Sequence, residues 1–112
     1  MSKQASQWAD AILKRGHIDI AGTRITVGRR PLSSAGEFSA EIEPNVSVST
    51  YITPNNVPAT LAHEIGHAVG FVTGAFNSPA DTQAGDDEVF ANAFAVGFIA
   101  ALDACVSKPR AK

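Results

Sequence analysis

Three features of the sequence predict an α+β fold. A helical apolar period opens the chain, period-two alternation follows from His17 to Ile52, and helical patterning returns from Val57 towards the C-terminal end. Strands that cluster first and helices that follow are expected to pack as helices on a small, mostly antiparallel sheet.

Residues 4–15 form the first expected helix, with Trp8, Ile12, Ala5 and Ala9 at helical spacing and Gly16 as its stop. His17–Ile20 and Arg24–Val27 alternate around Ala21-Gly22, which reads as a hairpin. Arg29 to Gly36 reads as a loop. Phe38–Ile42 and Val46–Ile52 are two further strands, separated by Pro44-Asn45. In the second, Val46 and Val48 share one face and Ser47, Ser49 and Tyr51 the other. Thr53 to Asn56 is a turn, and Val57-Pro58 opens a helix to about Val72 because proline is tolerated in a first turn. Gly74 to Gly85 reads as a loop. Asp86-Asp87-Glu88 places acidic side chains at the positive end of a last helix that runs to about Ala104. Apolar residues almost encircle that helix, so burial on all sides is expected.

With 112 residues, the chain is expected to hold one domain over 1–106 and a polar C-terminal tail over 107–112. Its 45% apolar and 18% charged content excludes a disordered charged segment as its main character. Nine basic against eleven acidic side chains leave a net charge of −2, so nucleic acid is not the expected partner. Arg24, Arg29 and Arg30 form a basic corner that reads as a solvated face. Cys105 stands alone, which excludes an internal disulfide and Cys-rich zinc modules. The opening residues lack the apolar region of a secretory leader, and Val89–Leu102 is too short to span a bilayer. A reducing cytoplasmic compartment without a membrane partner is the resulting expectation.

Chemistry concentrates in His63-Glu64-Ile65-Gly66-His67, a His-Glu-x-x-His pattern inside an expected helix. Residues i and i+4 lie about 40° apart around a helix and about 6 Å apart along it, so both imidazoles can converge on one Zn²⁺. Glu64 flanks that metal and is the candidate general base. A catalytic zinc normally takes three protein ligands. The only other histidine, His17, lies far upstream, which points to a downstream carboxylate. Glu88 is the candidate, with Asp86 or Asp87 as alternatives. Asn92 follows Glu88 by one turn and can accept a hydrogen bond from the far ring nitrogen of a zinc histidine, fixing its tautomer. With three histidines and five glutamates, shuffling yields the five-residue pattern in roughly 3 of 1,000 sequences, so coincidence is the weaker account. Tyr51 is a candidate oxyanion stabiliser or a packing residue. Val46–Ile52 is either the exposed sheet edge that receives a substrate strand or a core strand.

Leu61-Ala62-His63-Glu64-Ile65-Gly66-His67-Ala68, followed by Glu88-x-x-Ala91-Asn92-x-Phe94-Ala95, resembles the ImmA/IrrE family of small zinc metallopeptidases. It also looks like the wider gluzincin arrangement. The resemblance implies a minimal zincin fold: a short twisted sheet, an active-site helix and a backing helix. It implies zinc on His63, His67 and Glu88, with Glu64 as base. It further implies a protein or peptide substrate, a transcriptional repressor being one class that such enzymes cleave. A zinc-stabilised module that binds protein or nucleic acid without cleaving it is the competing expectation.

Overall fold

The structure, a computed structural model, describes residues 3–40, 43–73 and 84–107, the last stretch with side chains from Glu88 to Ala104. The chain runs α1 (Lys3–Arg15), β1 (His17–Ile20), β2 (Thr23–Arg30), β3 (Gly36–Ser39), β4 (Asn45–Ser49), a 3-10 turn (Pro54–Asn56), α2 (Val57–Val72) and α3 (Ala84–Ser107). The α+β class holds. The sheet is mixed, in the order β1-β2-β4-β3.

Two of the three pairings are antiparallel, β1 with β2 and β3 with β4, while the central β2–β4 pair is parallel. The β1–β2 hairpin closes on Ala21 and Gly22, both at positive φ (49° and 85°), as a two-residue turn requires. Beyond it the strands differ from their expected bounds. Parallel pairing of Arg29 with Val48 and Arg30 with Ser49 carries β2 through residues that alone read as loop. Pairing of Gly36 with Val48 likewise draws Gly36 into β3.

Of the two readings of Val46–Ile52, exposed edge or core strand, the structure has the core strand. β4 lies between β2 and β3, and Val46, Ser47, Val48 and Ser49 are all buried. The edges are β1 and β3, and on the α2 side it is β3, whose Gly36, Glu37 and Ser39 bury little apolar surface and so lose least there. The faces of the sheet divide by chemistry. Ile25, Val27, Val46 and Val48 meet Val57, Leu61, Ile65 and Ala68 of α2 and Ala9 of α1 in the core. The opposite face is polar. There Arg30 Nε donates to Ser47 Oγ at 3.1 Å and its guanidinium pairs with Glu37 at 3.3 Å, while Arg24 pairs with Asp19. Arg29 Nη2 donates to the Ser49 carbonyl at 2.8 Å. Each residue of the basic corner is thus engaged within the sheet region.

α3 packs on α2 and on α1, with Trp8 edge-on to Phe98 at 4.7 Å. The crossing with α2 is close because Gly66 lacks a side chain. A Cβ there would stand 3.0 Å from Ala91 Cα and 3.2 Å from Phe94 Cδ2. Burial of α3 on all sides is not found. Ala91 and Ala95 are buried, but Val89 and Val96 are exposed, because α1 and α2 cover only one side of it. Gly66→Val should therefore destabilise the fold by about 1–3 kcal/mol through overpacking. Gly28→Ala, whose added Cβ meets nothing within 4 Å, should show no such loss. Urea unfolding of both variants measures the difference.

Candidate metal centre

α2 presents three different sides. Val57, Leu61, Ile65 and Ala68 join the core, Gly66 meets α3, and the remaining side carries His63 and His67 into a cleft between β3 and the start of α3. The helical spacing puts both rings on one side, with centroids 4.9 Å apart. The α2–α3 crossing then brings Glu88, distant in sequence, across the cleft.

Glu88 Oε1 lies 3.0 Å from His63 Nε2 and Glu88 Oε2 lies 3.2 Å from His67 Nε2. The two Nε2 atoms are 3.2 Å apart. The donor atoms of the three residues all fall within 4.8 Å of one another, an arrangement able to hold a metal ion. A tetrahedral ion with bonds of about 2.0–2.1 Å separates its donors by about 3.3 Å, so the observed spacing fits one. The imidazoles are mostly shielded, with side-chain exposures of 21% and 13%, while Glu88 at 58% leaves one side open to solvent.

Glu64 is buried beside this triad, at 8% exposure. Among the described residues no hydrogen bond or ion pair holds its carboxylate. Desolvation raises its pKa, His67 and His63 act to lower it, and the charges of Glu88 and Glu37 raise it further. Two cavities of about 350 and 340 Å³ flank Glu64. One is lined by Ala35, Gly36, Ala59, Thr60 and His63, the other by Gly36, Glu37, Phe38, His67 and Glu88.

Gly36 is common to both cavities and escaped the sequence reading, which left it in a loop. A Cβ there would lie 2.9 Å from Thr60 Cγ2 and 3.0 Å from Glu64 Cγ. The absent side chain lets the edge strand approach α2 beside the carboxylate. Its signal was a glycine directly before the strand-like Glu37-Phe38-Ser39.

The structure brings His63, His67, Glu64 and Glu88 together, and leaves the other two candidates outside. Asn92 is exposed, and among the described residues no hydrogen bond joins it to either imidazole. Tyr51 is 76% exposed in the turn after β4 and lines neither cavity. His17 sits on β1, across the sheet from the cleft. The Asp86 and Asp87 side chains lie outside the described residues.

No family model matches the chain, and neither a curated protein nor a solved structure matches it at significance. Among the described residues no helix is long and apolar enough to cross a membrane.

Two outcomes are expected of this centre. The purified chain should bind about one divalent ion, and at a free metal concentration near 100 times Kd thermal stability should rise by about 2.7 kcal/mol. Glu88→Ala should weaken metal binding roughly 100-fold, measured by competition with a chromogenic chelator. In the metal-free chain the raised Glu64 pKa means that the folded state holds its proton more tightly than the unfolded one. Stability linked to Glu64 is then present at low pH and lost as pH rises through the carboxylate range. Glu64→Gln should remove that loss, so its melting temperature should exceed wild type at pH 8 and the gap should close at pH 4.

Proposed function

We propose that the protein is a zinc-dependent metalloendopeptidase with His63, His67 and Glu88 as metal ligands and Glu64 as general base. Two imidazoles and one carboxylate around an open position suit zinc in a hydrolytic site. The observation that carries this reading is the buried Glu64 carboxylate, unbonded among the described residues and set beside three converging metal donors. A divalent ion bound there supplies Lewis acidity, acidifying a water and polarising a peptide carbonyl.

The chain's own residues supply the rest. The outer edge of β3 offers unpaired backbone groups along the cleft, where an extended peptide can add as a strand. Ala35 and Gly36 line the cavity beside Glu64 in which that peptide would lie. Glu64 takes a proton from the attacking water and delivers it to the leaving amine. The resemblance to repressor-cleaving metallopeptidases favours limited cleavage of a regulatory protein over general digestion.

A second reading, a zinc-stabilised module that binds a protein or nucleic acid without cutting, draws on Tyr51. That candidate oxyanion stabiliser is exposed and lines neither cavity. One variant separates the two readings. Glu64→Gln should retain one zinc per chain and lower kcat/KM for peptide hydrolysis by about 10²–10⁴. New peptide termini in a proteome digest, compared between wild type and variant, give the measurement. Cleavage undiminished in the variant defeats the mechanism, and a full biological effect without cleavage favours the binding module.

A further inference from the structure

α3 is apolar on two opposite faces, and among the described residues only one of them has a partner. No charged residue occurs from Val89 to Leu102. Ala91, Ala95, Phe94 and Phe98 pack inward. On the other side Val89 (66% exposed), Ala93, Val96 (72%), Gly97, Ala100 and Ala104 all face solvent. These six residues fall within about 100° of helical arc, the width of a stripe that normally seeks a core.

We infer that this stripe is a self-association surface, on which α3 of a second copy packs antiparallel about a two-fold axis. The order of side-chain sizes selects the occupant. With the axis between Val96 and Gly97, Val96 opposes Gly97, Ala93 opposes Ala100 and Val89 opposes Ala104 of the second copy. Each valine therefore meets a small residue, and every contact is repeated by symmetry, as an isologous interface requires. The recess at Gly97 is open, since a Cβ there meets nothing within 4 Å. Charge selects the direction. Asp86, Asp87 and Glu88 begin the helix, and Lys108, Arg110 and Lys112 follow it in sequence. Antiparallel order sets the acidic start of one helix beside the end from which the partner's basic sequence continues, whereas parallel order stacks like charge on like.

A stripe of this length buries an area at the low end of specific interfaces, on the order of 1,000 Å² in total. A monomer–dimer equilibrium between roughly 10 and 100 μM is the expected strength. Sedimentation equilibrium of the 112-residue chain in the presence of zinc reads it directly. Wild type should shift from one to two chains per particle across that range. Val96→Glu, which adds charge at an exposed site, should weaken association at least tenfold. So should Gly97→Val, which fills the recess from a position whose added Cβ meets nothing within 4 Å. Circular dichroism and zinc content should match wild type in both. A wild type that stays monomeric to 1 mM overturns the inference, as does a dimer that both variants leave intact.

Discussion

The close crossing of α2 and α3 at Gly66 is the constraint on which the rest of the molecule depends. His63 and His67 share one side of α2 by helical geometry alone. Their third partner comes from another helix and must be delivered within about an ångström. The absent side chain at Gly66 permits that delivery by letting Ala91 and Phe94 lie against the α2 backbone. Since Glu88 stands less than one turn before Ala91, its carboxylate arrives 3.0–3.2 Å from both ring nitrogens. Glycine in a helix interior costs about 1 kcal/mol relative to alanine, and here the close packing offsets it.

A second close approach shapes the other wall of the cleft. Gly36 brings the edge strand against α2 at Thr60 and Glu64, burying the Glu64 carboxylate without giving it a hydrogen-bond partner among the described residues. Burial of an unpaired carboxylate is unfavourable, and a cation held by the neighbouring triad would relieve it and so link fold stability to metal binding. The sheet also contributes Glu37 and Phe38 to this wall.

The sheet illustrates how pairing outweighs local pattern. Val46-Ser47-Val48-Ser49 alternates as a half-exposed strand does, yet it is buried on both faces. Leu32 and Arg30 accept from or donate to its serines on the polar side. Small hydroxyl side chains satisfied in this way can occupy an interior strand without the continuous apolar run that usually marks one. Glu37 and Gly36, by contrast, tolerate the edge. α3 shows the opposite case, where pattern implied full burial and the described elements cover only half of the helix.

What the sequence determined by itself was local: the helix over Val57–Val72, the Ala21-Gly22 hairpin, the shared side of His63 and His67, and Glu64 beside them. These follow from periodicities of 3.6 and 2.0 within a few residues. Glu88 was also legible, because an acidic helix start was the best-placed downstream donor for a two-histidine pattern. The tertiary structure alone decided that β4 is interior and parallel to β2, that β3 is the edge strand beside α2, and that Tyr51 is exposed and lines neither cavity. Strand order and helix rotation depend on contacts between residues far apart in sequence, where no local period carries information. A long-range crossing such as that of Gly66 on Ala91 becomes visible only when both helices are in place.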